Sequence, residues 1–205
     1  MKFQPLFSSF VCIDQLEDYV DNDAIVDIVY DRYKDDTKLK FAGGWSSGHL
    51  PLSMLDEEPL KSLKNQINLH VNEIKFNHLG IKQDVEHTIT NYWANIFEPF
   101  GKYRTPANPP HIHAGYFLSV VYYPKAQDAC GDLILIAPFS GIETTMPFKQ
   151  LERSTFFNAS RWMVKPEPAK LVIFPSWLMH FVETNQSEED RLSIAFNISL
   201  PHVDL

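Results

Sequence analysis

Apolar residues follow two different patterns along the chain, and the change falls near residue 87. Before it, apolar positions recur three or four residues apart, which is the spacing of an amphipathic helix. One helix is predicted for residues 24–35, because the polar segment 21–23 supplies capping oxygens just before it. A second is predicted to begin near Pro59, after three acidic residues that suit the positive end of the helix dipole, and to stop at Gly80.

After this point the apolar residues form short runs, rich in β-branched and aromatic types, separated by Pro, Gly and Asn. Such runs are typical of the strands of a barrel or a sandwich. The predicted strands cover residues 88–97, 115–123, 132–137, 161–165, 170–174, 180–184 and 191–199. Because no segment with helical spacing separates them, an antiparallel jelly roll is favoured over a parallel sheet.

The sequence therefore predicts a mainly β fold with N-terminal helices. A length of 205 residues suits one domain, residues 1–205. Within it, the mostly helical residues 1–86 are expected to brace a catalytic β core of residues 87–205. The same helices would also suit a dimer interface, so a homodimer stays open.

Composition and charge exclude several classes of protein. An apolar share of 44% and an aromatic share of 13% are those of a globular chain. The net charge of -8, without a cluster of Lys or Arg, argues against a nucleic-acid partner. Cys12 and Cys130 fit neither a metal pattern nor a disulfide framework, which favours a cytoplasmic setting. The short apolar stretch 11–13 predicts neither a membrane span nor an export signal.

Two histidines stand in the segment Pro-Pro-His-Ile-His, residues 109–113, just before the apolar run 116–123. In extended backbone the side chains alternate between faces, so His111 and His113 point the same way and can bind one ion together. Ile112 is then expected to pack on the opposite face. An isolated pair is also compatible with two solvated loop histidines, so a metal site requires a third ligand.

A third histidine, His180, follows the apolar run 170–174 and a turn led by Pro175. Neighbouring antiparallel strands of a barrel can bring His180 opposite His111 and His113 despite the long separation in sequence. Read alone, the segment favours a metal ligand, with a structural histidine in the core as the alternative.

Arg191, Ser193 and Ala195 share one face of the last predicted strand. An arginine that points inward requires an anion, since an unpaired buried charge is costly. Its planar guanidinium binds a carboxylate through two parallel hydrogen bonds, and Ser193 adds a hydroxyl on the same face. The alternative is that Arg191 lies at an exposed strand end and pairs with an acidic residue of segment 188–190.

Three segments together resemble a known enzyme family. They are HIHAGYFLSVVYYP, GDLILIAP and KLVIFPSWLMHFVETNQSEEDRLSIAFNIS. These resemble a branch of the Fe(II)/2-oxoglutarate oxygenases of marine bacteria and their phages, which is related to prolyl hydroxylase catalytic domains. The resemblance covers roughly the C-terminal half and, more loosely, the helical first part. Its FPSWLxH and RxS elements are fairly specific when they occur together at this spacing.

The resemblance implies a double-stranded β-helix, a cupin-like jelly roll, that binds Fe(II). It implies that His111 and His113 are metal ligands and that His180 is the distal ligand. The wider superfamily has Asp or Glu where this chain has His113, so the site keeps one more positive charge. Neighbouring carboxylates could intrude as ligands, although none has a favoured spacing; they are Asp128, Asp132 and Glu143.

The resemblance also implies a binding site for 2-oxoglutarate as co-substrate. Arg191 with Ser193 matches the anchor for its distal carboxylate, and Tyr123 matches a tyrosine that assists there. Asn95 looks like a polar residue kept inside the barrel for co-substrate or substrate. Its position suits the cap of a turn equally well.

The implied activity is oxygenation, by hydroxylation of an unidentified small-molecule or peptidyl substrate, with release of succinate and CO2. Aromatic residues near the site would exclude water, although each also suits a plain core position; they are Phe174, Trp177 and Phe196. The substrate pocket is expected to be built by the loops 103–108 and 141–158. Two rivals stay open: a three-histidine iron dioxygenase in which Arg191 holds the substrate, and a non-enzymatic jelly-roll module that binds metal or serves as a structural part.

Overall fold

A computed structural model of the protein describes residues 1–2, 4, 6–35, 40–41, 43–99, 108–139 and 141–201. The strands are β1 (Cys12–Gln15), β2 (Lys40–Phe41), β3 (Gly44–Ser46), β4 (Thr88–Phe97), β5 (Leu118–Lys125), β6 (Leu133–Ile136), β7 (Arg161–Val164), β8 (Lys170–Pro175), β9 (His180–Val182) and β10 (Arg191–Ser199). The helices are α1 (Asn22–Asp35), α2 (Leu60–Glu73) and α3 (Gly141–Thr145), with 3₁₀ turns at Leu52–Asp56 and Phe148–Gln150 and a π turn at Ile74–His78.

Two antiparallel sheets form the body of the molecule. The larger has seven strands in the order β1-β8-β5-β10-β4-β3-β2. The smaller has three, in the order β7-β6-β9. The mainly β architecture with N-terminal helices agrees with the prediction, and β4 and β10 have the bounds that the apolar pattern predicts.

Strands β10 and β4 are neighbours at the centre of the larger sheet, and their register positions the candidate site. Arg191 lies opposite Phe97, and Ser193 lies opposite Asn95. Ala195 lies opposite Trp93. Because side chains alternate along a strand, these paired residues line the face of the sheet that turns toward the smaller one.

The helical first part packs on the outer face of the larger sheet. Ile25 and Val29 of α1, together with Leu63 and Ile67 of α2, belong to one buried cluster with residues of the central strands. The helix α2 ends through a π turn, and Gly80 follows with a positive φ of 66° that favours glycine.

Several local predictions differ from the structure. Strands β1, β2 and β3 are not predicted by the pattern, yet they extend the larger sheet at both edges. The short helix α3 lies between β6 and β7, where only loop was expected. Of the predicted substrate loop 103–108, residues 103–107 lie outside the described residues. None of the helices in the described ranges combines the length and the hydropathy that a membrane-spanning segment requires.

Candidate active site

Three histidine rings meet between the two sheets. The ring centroids of His111 and His180 are 4.3 Å apart, and His113 lies 5.2 Å from His111 and 5.1 Å from His180. One candidate ligand nitrogen from each residue lies within 4.8 Å of the others. Within the described part of the chain, this is the cluster of His, Cys, Asp and Glu side chains that could hold a metal ion.

Backbone hydrogen bonds bring the histidines together. The amide of His111 donates to the carbonyl of His180 at 2.9 Å, and the amide of His180 donates back to the carbonyl of His111 at 3.0 Å. The amide of His113 donates to the carbonyl of Ser176, in the turn between β8 and β9. The segment before β5 is therefore fixed to the segment that carries His180, which explains how distant residues form one site.

The Nδ1 atom of each ring contacts a carbonyl oxygen. The partner of His111 is the backbone oxygen of Pro109 at 2.7 Å, and that of His180 is the backbone oxygen of Leu178 at 2.9 Å. The partner of His113 is the side-chain oxygen of Asn197 at 2.5 Å. A carbonyl oxygen can only accept, so each Nδ1 carries a proton, and Nε2 is the nitrogen left to bind a metal ion.

Burial keeps two of the imidazoles neutral. It lowers the pKa of His180 to about 4, with smaller contributions from His111 and His113 and an opposing one from the Leu178 carbonyl. Burial also lowers the pKa of His113, against the hydrogen bond with Asn197, which favours the charged form. Neutral imidazoles at pH 7 have the lone pairs that a metal ion requires.

A cavity of about 40 Å³ lies beside the three rings. Its walls include the inward-facing residues of β4, β5 and β10 and part of the smaller sheet. All seven residues predicted to form the site line it: His111, His113, His180, Arg191, Ser193, Tyr123 and Asn95. The structure thus brings together residues that the sequence spreads over almost a hundred positions.

Arg191 lines this cavity and is buried, with 1% of its surface exposed. Its Nη1 donates to the carbonyls of Cys130 and Gly131 at 3.1 and 3.0 Å, whereas its Nε is buried without a hydrogen-bond partner among the described residues. No carboxylate of the described residues lies within ion-pair distance of the guanidinium. The alternative of an exposed Arg191 paired with its acidic neighbours is therefore wrong, because the side chain of Arg191 is buried. Of those neighbours, Glu189 pairs with Lys125.

Gly131 shapes the turn that faces Arg191. Its φ is 90°, and a Cβ at this position would lie 2.3 Å from the carbonyl oxygen of Glu183. Glycine is thus required for the close approach that aims the Gly131 carbonyl at the guanidinium. Burial lowers the pKa of Arg191, with Tyr123 as the largest opposing contribution, and an arginine keeps its charge at neutral pH nevertheless.

Three polar residues accompany Arg191. Burial raises the pKa of Tyr123 to about 12, so its hydroxyl keeps its proton and can donate a hydrogen bond. Ser193 and Asn95 lie opposite each other on β10 and β4 and are both buried. The alternative that Asn95 caps a turn is wrong, because it lies within β4 and faces the cavity.

Some expected neighbours of the site lie elsewhere. Phe174 lines the cavity and contacts the His180 ring edge-on at 4.8 Å. Phe196 instead stacks on Tyr92 in the core under the helices. Trp177 is 52% exposed, because the turn after Pro175 interrupts the strand alternation.

Two further expectations next to the histidines need correction. Ile112 does not pack on an opposite face but is 44% exposed. Of the carboxylates considered as extra ligands, Asp128 pairs with Lys165 and Asp132 is not part of the histidine cluster, while the side chain of Glu143 lies outside the described residues.

The donor set fits Fe(II). Imidazole is a ligand type that suits iron, and three imidazoles on one side of a cavity leave other coordination positions free. The buried guanidinium lacks a carboxylate partner in the described ranges, which suits a ligand that brings its own carboxylate. Both properties agree with a metal and a dicarboxylate that bind side by side.

Comparison with protein families gives a match that covers residues 91–197, slightly more than half of the chain. The family is described as "Putative 2OG-Fe(II) oxygenase". The chain belongs to this family. It is accordingly a 2-oxoglutarate- and Fe(II)-dependent oxygenase, as the motifs predict. The matched residues begin with Asn91 of β4 and end with Asn197 of β10, so they include all seven predicted site residues.

Solved structures of other proteins are similar to this oxygenase in fold. A prolyl hydroxylase from Trichoplax adhaerens, in complex with a peptide fragment of hypoxia inducible factor, is 15% identical with a TM-score of 0.59, over 92% of this chain and 83% of that chain. A prolyl-4-hydroxylase from Pseudomonas putida is 13% identical with a TM-score of 0.54, over 92% of both chains. HygX from Streptomyces hygroscopicus, with nickel and 2-oxoglutarate bound, is 11% identical with a TM-score of 0.53, over 93% of this chain and 82% of that chain.

At these identities the likeness concerns the fold, which is the double-stranded β-helix that the family resemblance implies. Comparison with curated proteins gives no match.

Three residues at the candidate site are not among those predicted from the sequence. Trp93 and Ser119 line the cavity, and the hydroxyl of Ser119 is buried without a hydrogen-bond partner among the described residues. Asn197 contacts His113. A signal for all three exists in the strand alternation, because Trp93 lies two residues before Asn95, Ser119 four before Tyr123, and Asn197 six after Arg191.

Proposed function

We propose that His111, His113 and His180 bind the Fe(II) of this oxygenase through their Nε2 atoms. The observation that carries the proposal is that three imidazoles and one buried guanidinium line the same cavity. The iron, when bound, supplies the oxidation of the substrate together with 2-oxoglutarate and dioxygen. The chain itself supplies the position of each partner and excludes water.

Arg191 is proposed to bind the distal carboxylate of 2-oxoglutarate. Its Nη1 is already held by two backbone carbonyls, so the guanidinium is fixed before the ligand arrives. Its unpaired Nε lies in a buried environment, where a carboxylate is a strong acceptor. Tyr123, with its retained proton, and Ser193 are proposed to donate to the same carboxylate, and Asn95 to bind the co-substrate or the substrate beside it.

The reaction is proposed to be hydroxylation of a small molecule or a peptide, with release of succinate and CO2. Support comes from the solved prolyl hydroxylases that share the fold, one of which is in complex with a peptide. Within this chain, Trp93 is a candidate for substrate contact, because it lines the cavity and its ring lies 5.6 Å from that of His113.

We also propose that the chain is one domain in which residues 1–86 brace the catalytic core of residues 87–205. The support is a direct set of contacts between the two parts. The Tyr30 hydroxyl donates to Asp190, the residue before β10, at 3.0 Å. Another contact joins the Tyr122 hydroxyl of β5 to the Asn22 side chain at the start of α1.

Turnover of 2-oxoglutarate by the purified protein tests the function. With Fe(II), O2 and 2-oxoglutarate, we expect succinate, and we expect none from His180→Ala, because two imidazoles cannot hold the ion in place of three. His78→Ala is the matched control, since His78 is an exposed histidine far from the site along the chain. Succinate formation by His180→Ala at the wild-type rate would refute the ligand assignment.

The same measurement separates the rival enzyme. A three-histidine dioxygenase that binds its substrate directly to iron consumes O2 without forming succinate. Family membership favours the 2-oxoglutarate-dependent reaction. Addition of 2-oxoglutarate to the anaerobic Fe(II) protein should also produce a weak visible charge-transfer band, and its absence from folded protein would count against the proposal.

A further inference from the structure

The three histidines differ in what holds their Nδ1 atoms. For His111 and His180 the acceptor is a backbone carbonyl two residues earlier in the chain. For His113 it is the side-chain oxygen of Asn197, which belongs to β10 and is 4% exposed. The orientation of His113 thus depends on a single side chain, which a substitution can change without altering the local backbone.

The Asn197 amide belongs to a short network of side-chain hydrogen bonds. Its Nδ2 donates to the side-chain oxygen of Asn91 at 2.8 Å, and the Nδ2 of Asn91 donates to the hydroxyl of Tyr116 at 2.8 Å. If the Asn197 amide were flipped, its NH2 group would face the protonated Nδ1 of His113, and its oxygen would face the oxygen of Asn91. Both contacts would be repulsive unless the Asn91 amide turned as well and the proton of His113 moved to Nε2. A metal ion bound at Nε2 excludes that second arrangement, so metal binding requires the orientation in which Asn197 accepts from the ring.

The fold places the two asparagines for this contact. Asn91 and Asn197 lie opposite each other on β4 and β10, where the register shifts between Asn197 and Ile198. Such irregularities bend a strand and redirect its side chains, and they are frequent beside active sites. The network then returns to the loop of the histidines, because Tyr116 lies three residues after His113.

The side-chain amide of Asn197, which accepts from His113, is neutral, and this affects the charge of the site. A carboxylate in this position would also accept from Nδ1, but it would add a negative charge next to the metal. The proposed ligands are three imidazoles and no carboxylate. With the neutral amide of Asn197 beside His113, neither the ligands nor this hydrogen-bond partner offsets the positive charge of the ion.

We infer that Asn197, supported by Asn91 and Tyr116, is a positioning residue that sets the tautomer and the ring plane of His113 without adding charge. The inference rests on the proposed role of His113 as a metal ligand. Asn197, Asn91 and Tyr116 are not metal ligands, but by this inference they affect how tightly the metal binds. A hydrogen bond that only stabilises the core would not affect metal affinity.

Binding of Co(II) to the metal-free protein, followed by calorimetry and by visible absorption, tests this inference without turnover. Asn197→Leu keeps the approximate size and removes the acceptor, so we expect an affinity about 10- to 100-fold weaker, the usual effect of losing such a partner. Asn197→Asp keeps the acceptor, adds a charge and loses the amide donor to Asn91, whose own amide can turn and donate to the new carboxylate. It should therefore bind Co(II) at least as tightly as the wild type, with a shifted absorption spectrum.

Asn185→Leu is the matched control for loss of a buried asparagine. Asn185 donates to the backbone oxygens of Phe97 and Glu189 and does not contact the histidines, so its loss should lower stability and leave Co(II) affinity unchanged. If Asn197→Leu does not fold, Asn91→Ala removes the support from a half-buried position and should weaken binding in the same direction.

If Asn197→Leu binds Co(II) as tightly as the wild type, the inference is wrong and the ligand assignment stands. The same holds for Asn91→Ala where that variant replaces Asn197→Leu. Equal weakening in Asn197→Leu and Asn197→Asp would also overturn it, because the acceptor would then be irrelevant. Failure of the wild-type protein to bind Co(II) would overturn the ligand assignment together with the inference.

Discussion

Replacement of Arg191 tests the co-substrate site with a magnitude that follows from the structure. The guanidinium is buried beside the cavity, and its charge has no carboxylate partner in the described part of the chain. Hydrogen bonds to charged groups contribute about 1.5–3 kcal/mol. Loss of this interaction in Arg191→Met therefore corresponds to about a 10- to 150-fold rise in the KM for 2-oxoglutarate, since about 1.4 kcal/mol is tenfold.

Arg191→Lys should have a smaller effect. A lysine keeps the positive charge but replaces the planar fork by a point charge, so one of two parallel hydrogen bonds is lost. We expect a KM about tenfold higher, at the lower end of the range for a charged hydrogen bond. The kcat at saturating 2-oxoglutarate should change less than the KM, because this residue contacts the distal carboxylate and not the reacting end.

Succinate formation over a range of 2-oxoglutarate concentrations gives both constants. Arg32→Lys is the control, because Arg32 lies on the exposed side of α1 and should tolerate the same exchange. Circular dichroism and the unfolding free energy show whether loss of the bonds to Cys130 and Gly131 affects the fold. An unchanged KM in folded Arg191→Met would refute the anchor role.

Two other changes test separate parts of the account. Ala195→Leu adds three carbons to the wall of a cavity of about 40 Å³, so it should abolish binding of 2-oxoglutarate in calorimetry while Co(II) binding persists; undiminished binding of 2-oxoglutarate would show that the co-substrate lies elsewhere. Burial and the neighbouring Lys75 lower the pKa of His87, so the unfolded state binds a proton more readily and the unfolding free energy should fall as the pH drops below about 6.5. In His87→Gln the unfolding free energy should fall less steeply with decreasing pH, as measured by denaturation at several pH values. A pH dependence identical to that of the wild type would contradict the assignment to His87.

Much of the candidate site follows from one local rule. Side chains alternate along a strand, so Arg191 and Ser193 could be assigned to one face from the sequence, and the same rule applies to His111 and His113. These residues line one cavity in the structure. The same alternation places Asn197 and Ser119 on the inward faces of their strands. It does not say which partner an inward side chain contacts, because that depends on the register between strands.

The other differences between the predicted and the observed structure also arise from contacts between parts of the chain that are distant in sequence. Strands β1, β2 and β3 have four, two and three residues, and such short segments are stabilised by the sheet they join and not by their own sequence. Trp177 follows Pro175 in a turn, so the strand alternation no longer applies to it and the side chain is exposed. The pattern of apolar residues predicts which face of a helix or strand is buried. Which short segments join the edge of a sheet, and where side chains in turns point, depends on the rest of the fold.

We propose that three imidazoles hold one iron ion while Arg191 holds 2-oxoglutarate beside it. A crystal grown without oxygen from protein with Fe(II) and 2-oxoglutarate, measured at the iron absorption edge, tests both parts in one map. We predict a single anomalous peak bonded to Nε2 of His111, His113 and His180, with the distal carboxylate of 2-oxoglutarate against Arg191. A peak away from these nitrogens, or a co-substrate that does not contact Arg191, would contradict the account.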